Sequence, residues 1–209
     1  MGIVALVSGG IDSAVMCKII EKQGEKIFPL FVDYGQIAAK KEWSACQQLF
    51  TKCKFPPPIK VDLSGYGKLI PSGLTDINKD IFENAFLPGR NMLFLLVGTA
   101  YACSIGEKTI AIGLLSEKTH LFPDQTQEFI TNTNFALNSA LGYDTIIITP
   151  LINFSKSDTI KLACHYNIPL DKTYSCHSGN DKYCGKCISC REIINSGDKR
   201  FLPQFEKGD

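Results

Sequence analysis

The stretch "IVALVSGGIDSAV", residues 3–15, indicates both how the chain folds and what it binds. The apolar run that ends at Val7 predicts a buried β-strand, and the apolar residues around Ser13 predict a helix. Between them, Gly9 and Gly10 permit a tight turn and a close approach of the backbone. Such a turn presents backbone N–H groups and the positive end of the helix dipole, which together bind anions. The stretch therefore predicts a phosphate site at the end of the first strand.

This loop differs from the common phosphate-binding motifs. No lysine follows its glycines, so it is not a P-loop, and its spacing does not fit the dinucleotide-binding motif. Ser8 and Ser13 add hydroxyl donors, whereas Asp12 places a carboxylate beside the expected phosphates. A carboxylate is compatible with phosphates when it binds a bridging Mg²⁺ or accepts hydrogen bonds from loop amides. The alternative is a plain turn with Asp12 as the helix N-cap.

Strands and helices alternate along the rest of the chain. The order is βαβαβ, a polar loop over residues 64–84, and then αβαβα, in which residues 90–106 read as a long buried helix. This order predicts an α/β fold with a doubly wound, mostly parallel sheet, which binds ligands at the carboxyl ends of its strands. The five predicted strands are IVALV (3–7), KIFPLFVDYG (26–35), PIKVDL (58–63), KTIAIGLL (108–115) and TIIITPL (145–151).

Composition excludes several classes of function. The formal net charge of the 209 residues is +1. The sequence therefore lacks the excess of basic residues expected of a protein that binds nucleic acid directly. No apolar run is long enough to span a bilayer, and the N-terminus reads as a strand and turn rather than a signal peptide. We expect a cytoplasmic protein with no membrane partner.

Four of the nine cysteines lie close together near the C-terminus, at Cys176, Cys184, Cys187 and Cys190. Disulfides are disfavoured in a reducing compartment, so clustered cysteines indicate metal binding or redox chemistry. Four thiolates with two short spacings can close a tetrahedron around Zn²⁺ and leave no position for water, which is typical of a structural site. An iron–sulfur cluster and redox cysteines are the alternatives. We expect an α/β domain over residues 1–160 and a helical segment with a four-cysteine zinc site over residues 161–209.

The residues Ser8-Gly9-Gly10, followed by Asp12 and Ser13, resemble the pyrophosphate loop of the N-type ATP pyrophosphatases. This superfamily has a Rossmann-like fold of the adenine nucleotide alpha-hydrolase type. The resemblance implies that ATP adenylates a carbonyl oxygen and releases pyrophosphate, which the loop holds with help from a magnesium ion on Asp12. It also implies that "FVDYGQ", residues 31–36, forms a wall of the nucleotide or substrate site.

Further motifs, in order along essentially the whole chain, resemble the 7-cyano-7-deazaguanine synthase family. They are "VDYGQ" (32–36), "LPGRNMLFL" (87–95), "FPD" (122–124) with "EF" behind it, "PL" (150–151) with Lys156, and "TYSCHSG" (173–179) with "CGKCISCRE" (184–192). The resemblance implies an ATP-dependent ligase of queuosine biosynthesis, acting on 7-carboxy-7-deazaguanine and ammonia. It also implies a homodimer.

The same resemblance implies roles for five side chains. Arg90 would contact the α-phosphate or the substrate carboxylate, and Lys156 a phosphate; a surface ion pair and a solvated lysine are the alternatives. Asn91 would contact substrate, or cap the helix that follows it. Asp124 and Glu128 would bind the N–H edge of the guanine-like ring, or serve as first-turn acids that the helix dipole favours.

The chain departs from the family pattern in its substrate half. In "LFPDQTQEF", residues 121–129, Gln125 and Thr126 stand where the family has a cysteine and an arginine, and Ile37 and Ala38 replace expected basic residues. These departures leave three hypotheses open. The chain is the nitrile-forming ligase, a related enzyme that joins an activated deazapurine or other acid to a different amine such as a protein, or a nucleotide-binding module without turnover.

Overall fold

The computed structural model describes residues 2–116 and 122–205. Its sheet has five strands, all parallel, in the order β3-β2-β1-β4-β5, which confirms the predicted α/β fold. The strands are β1 (Gly2–Val7), β2 (Lys26–Asp33), β3 (Ile59–Asp62), β4 (Thr109–Ala111) and β5 (Ile146–Ile148).

Helices cover both faces of this sheet. They are α1 (Ile11–Lys22), α2 (Ala39–Cys53), α3 (Gly65–Leu69), α4 (Arg90–Ser104), α5 (Gln127–Leu141), α6 (Lys156–His165) and α7 (Ile188–Asn195). Short 3₁₀ turns lie at Pro123–Gln125, Leu170–Lys172 and Lys199–Gln204. Among these described helices, none is both long enough and apolar enough to cross a membrane.

Strand β1 is apolar throughout because both faces of the sheet are covered. Ile3, Ala5 and Val7 pack with residues of α1, α2 and α6, whereas Val4 and Leu6 pack with residues of α4 and α5. Successive side chains of a strand point to opposite faces, so a strand buried on both sides reads as a continuous apolar run.

Several expectations need correction. Strand β5 covers Ile146–Ile148 rather than residues 145–151, and the predicted loop over residues 64–84 contains the short helix α3. Helix α4 is not buried all round: Met92 and Leu96 are 36% and 41% exposed, because the helix packs only one face against the sheet. Strand β4 is shorter than its apolar run, since the chain leaves the strand after Ala111 and residues 112–116 line the cavities described below.

The C-terminal cysteine segment packs on the same core as the sheet. Cys187, Cys190 and Ile193 belong to one buried cluster with Val15 of α1 and Ile160 of α6. Helix α6 crosses residue 160, where the sequence analysis divides the chain into two domains. That division stays a prediction.

Candidate active site

Two adjoining cavities lie at the carboxyl ends of the strands. Strands β1 and β4 are neighbours in the sheet, although the chain visits β2 and β3 between them, so the strand order reverses at this point. Ligands of open α/β sheets bind in the crevice formed at such a reversal. The segments after β1, β2 and β4 all contribute to the cavity walls.

The glycine loop is held in shape by its own side chains and by helix α2. The Ser13 hydroxyl donates to the carbonyl of Gly10 at 3.0 Å, and the Ser8 hydroxyl accepts from the amide of Gly10 at 3.3 Å. Gly9 has φ +79°, and a Cβ there would lie 2.6 Å from backbone atoms of α2. Gly10 is the N-cap of α1, so Asp12 lies in the first turn of the helix and not at the N-cap. The plain-turn alternative therefore does not describe this loop.

The first cavity, which we call the loop cavity, combines this loop with apolar walls. Ser8, Gly10 and Ser13 form its polar end. The flat apolar walls come from strands β1 and β2, helix α4 and the chain after β4, and they comprise Leu6, Leu30, Val32, Phe94 and Ile112. Tyr34 and Gln36 also line it, as the sequence predicts for residues 31–36.

The second cavity, which we call the α7 cavity, lies on the side of the cysteine segment. Its apolar wall comes from the polar loop, from the segment before α5 and from helix α7, and it comprises Leu74, Ala85, Phe122 and Ile188. Polar groups on the same wall are Ser116, Gln125, Ser189 and Glu192. This cavity can therefore hold a flat ring with hydrogen-bonding edges.

Residues that line both cavities include three ionisable side chains, Asp12, Arg90 and His177, which we call the junction. The other described residues that line both are Gly113, Leu114, Gln125 and Ser189. Each of the three junction side chains carries a buried polar atom without a hydrogen-bond partner among the described residues: Asp12 Oδ1, Arg90 Nε and His177 Nδ1. A buried polar atom that lacks a partner costs about 1–3 kcal/mol, so three of them at one place indicate a ligand.

Arg90 is the first residue of α4, and its guanidinium lies 5.9 Å from the ring centroids of both Tyr34 and Phe94. Within the described part of the chain it forms no ion pair, so the surface-pair alternative is not supported. The neighbouring Asn91 lines the loop cavity, and its side-chain amide donates to the carbonyl of Asp124 at 2.9 Å.

Lys156 is buried at the start of α6, and its ammonium bridges two carboxylates. Its Nζ lies 2.6 Å from Asp12 Oδ2 and 3.3 Å from Glu192 Oε2. Burial alone lowers the pKa of Lys156, but the two carboxylates outweigh burial and hold that pKa above its ordinary value. Burial raises the pKa of Glu192. Lys156 is therefore a fixed positive charge beside the junction and not a solvated lysine.

The structure does not bring the two predicted ring-binding acids into the cavities. Of the described residues that line either cavity, neither Asp124 nor Glu128 is one. Asp124 is buried beside Asn91, and burial raises the pKa of its carboxyl. Glu128 is exposed in the first turn of α5, the position that the helix-dipole alternative predicts. The predicted binding roles of both side chains stay predictions.

Residues 121–129, which depart from the family pattern and which we call the altered segment, reach the α7 cavity through Phe122 and Gln125. Leu121 lies outside the described residues. Thr126, which replaces the family's arginine, caps helix α5: its hydroxyl accepts from the amide of Phe129 at 3.0 Å. Sequence reasoning also missed His177 and Glu192 as cavity residues. His177 directly follows Cys176, Glu192 lies two residues after Cys190, and both lie within motifs that carry the family resemblance, which was the available signal.

The four clustered cysteines converge on one point. The Sγ atoms of Cys176, Cys184, Cys187 and Cys190 all lie within 4.8 Å of one another. Backbone amides donate to these sulfurs, for example from residue 184 to Cys176 at 3.3 Å and from residue 187 to Cys184 at 3.4 Å. Hydrogen bonds from Cys187 and Cys190 lower the pKa of Cys176. Four sulfurs this close to one another fit a tetrahedral metal site.

The chain is similar to known proteins over nearly its whole length. A family model described as "Queuosine biosynthesis protein QueC" matches residues 2–195. A 7-cyano-7-deazaguanine synthase of Prochlorococcus marinus is 37% identical to this chain, with 98% of this chain and 96% of that protein covered. One of Nautilia profundicola is 33% identical, with 94% and 93% covered.

Among solved structures, the NMN synthetase of Francisella tularensis has a similar fold. Its TM-score to this chain is 0.54 at 15% sequence identity, and the match covers 99% of this chain and 78% of that one. At this identity the likeness concerns the fold alone.

Proposed function

The chain belongs to the family of the queuosine biosynthesis protein QueC, and on that premise we propose that it is an ATP-dependent ligase that converts 7-carboxy-7-deazaguanine and ammonia to 7-cyano-7-deazaguanine. Relatives named 7-cyano-7-deazaguanine synthase match nearly its whole length, which favours this reaction over transfer of the acid to another amine. It also favours an enzyme over a binding module without turnover.

The observation that carries the proposal is the junction between the two cavities. Adenylation requires that the α-phosphate of ATP meets the carboxylate of the acid, so two binding sites must share a boundary. Here a phosphate-type loop lies on one side, a ring-sized cavity lies on the other, and Asp12, Arg90 and His177 line both. We place ATP in the loop cavity and the deazapurine acid in the α7 cavity.

The reaction in this site proceeds in four steps. A carboxylate oxygen attacks the α-phosphorus, and pyrophosphate leaves. Ammonia attacks the carbonyl carbon of the resulting acyl adenylate, AMP leaves and a proton is lost, which gives the amide. The amide oxygen then attacks the α-phosphorus of a second ATP, pyrophosphate leaves and one amide proton is lost, which gives an O-adenylated imidate. Loss of AMP together with the remaining N–H proton leaves the nitrile. Each cycle consumes two ATP molecules and one ammonia per nitrile.

Each residue role follows from its position. Ser8, Gly9, Gly10 and Ser13 bind the departing pyrophosphate through amides and hydroxyls at the N-terminus of α1. Asp12 would hold the magnesium ion, which when bound neutralises phosphate charge; its free Oδ1 fits an oxygen-ligated cation.

The other roles belong to three residues near the boundary between the cavities. Arg90 binds the α-phosphate or the carboxylate, and Lys156 supplies positive charge beside it. Asn91 contacts the nucleotide side.

We propose that Cys176, Cys184, Cys187 and Cys190 would hold zinc, which would hold helix α7 against the α7 cavity. The four-thiolate set leaves no ligand position for a reacting group, so the metal is structural. Metal analysis of the purified protein, expecting one zinc and no iron or acid-labile sulfide per chain, separates zinc from an iron–sulfur cluster.

We also propose a homodimer, a cytoplasmic location and small molecules as the only substrates. Support for the dimer comes from the apolar side chains that α4 exposes, Met92 and Leu96. Sedimentation at several protein concentrations tests it, and a monomer throughout would contradict it.

The testing experiment is a turnover assay with ATP, magnesium, ammonium and 7-carboxy-7-deazaguanine, in which AMP and the organic product are quantified by mass. We expect the nitrile with two molecules of AMP per product. AMP that depends on the acid, with amide as the final product or none of the nitrile, would overturn nitrile formation and favour the transfer hypothesis. No AMP from a folded, metal-loaded protein that binds ATP would favour the binding module.

A further inference from the structure

We propose that His177 is a catalytic residue, whose Nδ1–H donates a hydrogen bond to the carbonyl oxygen of the acid at the junction. This inference rests on the proposed function, because it assumes that the acid and ATP meet between the two cavities. Among the side chains already given roles, Asn91 is a neutral N–H donor, but it lines the loop cavity and not the α7 cavity, and its amide donates to the carbonyl of Asp124. His177 is also absent from the roles that the sequence analysis assigns.

The position of His177 is the first support. Its ring lines both cavities, together with Asp12 and Arg90. Its Nδ1 is buried and has no hydrogen-bond partner among the described residues. A buried ring nitrogen without a partner is costly, and a ligand oxygen at the junction would satisfy it.

The backbone around His177 is held rigidly, which is the second support. The amide of Tyr174 donates to the carbonyl of Gly9 at 3.0 Å and so ties this segment to the glycine loop. The amide of Ser175 donates to the Tyr183 hydroxyl at 3.0 Å, and the amide of His177 itself donates to Cys187 Sγ at 3.5 Å. A donor that is fixed before the reaction stabilises developing charge without having to reorganise.

The chemistry gives this donor a purpose. When ammonia adds to the acyl adenylate, the carbonyl oxygen becomes negatively charged until AMP leaves. Arg90 is drawn to the phosphate as well as to this oxygen, and the Lys156 ammonium is already paired with Asp12 and Glu192, so neither cation is committed to the oxyanion. A hydrogen bond from Nδ1–H stabilises the oxyanion, and the imidazole keeps its proton throughout. No additional reactant is needed.

Substitutions at position 177 can distinguish the two ring nitrogens. The side-chain amide of Asn places its nitrogen near the position of Nδ1, whereas that of Gln reaches the position of Nε2. We expect His177→Leu to lower kcat for nitrile formation about 100-fold, as loss of one oxyanion donor does. His177→Asn should retain most of the lost activity, and His177→Gln should not.

Controls separate this role from a structural one. Metal content, melting temperature and the dissociation constant of ATP should match the wild type in all three variants. His165→Leu, at an exposed position on α6, should leave kcat unchanged.

Several outcomes would overturn the proposal. A His177→Leu enzyme within about threefold of wild type, a difference of less than about 1 kcal/mol, would exclude a catalytic role. Loss of metal together with activity would show that the residue is structural. Equal activities of the Asn and Leu variants would exclude Nδ1 as the donor. A wild-type protein that forms no AMP with the acid would instead refute the proposed function, and the role of His177 with it.

Discussion

The glycine loop and the α7 cavity lie side by side at the same edge of the sheet, yet they are assembled in different ways. The loop is one continuous run, Ser8–Ser13, set between a strand and a helix that follow each other in the chain. The α7 cavity draws side chains from residues 74, 85, 116, 122–125 and 188–192, which are far apart in sequence.

This difference decides how each region tolerates change. The glycine loop takes its amides and hydroxyls from one short run, and distant segments contact it at Gly9, where α2 packs against the backbone and the amide of Tyr174 donates to the carbonyl. A cavity whose walls come from distant segments depends on whatever holds those segments together. For the wall from α7, that is the cysteine cluster. Losing the metal should therefore affect the α7 cavity more than the loop cavity.

Cys187→Ser, the largest expected effect, tests this difference directly. Cys187 is fully buried in the core cluster that α1 and α6 share, so losing the metal there should lower the free energy of unfolding by about 4 kcal/mol. We expect metal binding and acid binding to be lost and ATP binding to weaken less, because the loop cavity takes only Tyr174, Ser175, His177 and Ser189 from this segment. Metal analysis, thermal melting and calorimetric titration with each substrate measure these effects.

Cys103→Ser is the matched control, because Cys103 lies on α4 outside the cluster. Equal weakening of ATP and acid binding in Cys187→Ser would contradict the difference between the two cavities.

Asp12→Asn tests the loop side of the junction. The change keeps the shape of the side chain but removes the charge that pairs with Lys156 at 2.6 Å and that would hold magnesium. We expect kcat for AMP formation to fall at least about 100-fold. Steady-state kinetics over a range of magnesium concentrations measures it, with Asp62→Asn at the end of β3 as the control. A kcat close to the wild-type value would remove Asp12 from the mechanism.

Glu42 lies on α2 and lines the loop cavity, so Glu42→Gln tests whether burial in the folded protein changes a carboxyl group there. Burial raises the pKa of Glu42 to about 7, although the hydrogen bond from Gln36 and the charge of Arg90 lower it in part. The folded chain thus binds this proton more tightly than the unfolded chain does. Wild-type stability should therefore fall as pH rises from the ordinary carboxyl pKa of 4.5 to about 7.

In Glu42→Gln, which lacks the titrating carboxyl, the free energy of unfolding should fall by about 1–3 kcal/mol less over this pH range than it does in the wild type. Urea unfolding of wild type and variant at pH 5 and pH 8 measures the difference. An unchanged pH dependence in Glu42→Gln would mean that Glu42 titrates normally in the folded protein.

The smallest expected effect distinguishes residues within the altered segment. Glu128 is exposed and lines neither cavity among the described residues, so Glu128→Gln should change the KM for the acid by less than about twofold. Gln125 lines the α7 cavity where it meets the loop cavity, so Gln125→Ala should raise that KM by about tenfold. The reverse order would restore Glu128 as a ring-binding residue and place the acid elsewhere.

Local patterns were sufficient for the sheet and the glycine loop. The buried run of β1, the two glycines and the hydroxyl pair are adjacent in sequence, and each has a direct structural consequence. The cysteine cluster was equally readable, because the spacing between ligands is itself a geometric constraint. Arg90 and Lys156 were found only through the family resemblance, since a single basic residue has no periodicity.

The sequence by itself determined the fold class, the glycine loop and the cluster of four cysteines, because each depends on neighbours a few residues apart. Only the tertiary structure decided which side chains face the acid. Glu192 and His177 reach the α7 cavity because the cysteine cluster holds α7, and the segment that precedes it, against the core. Glu128, in contrast, is exposed in the first turn of α5. Contacts between distant segments form only when the core packs, and they leave no local pattern in the chain.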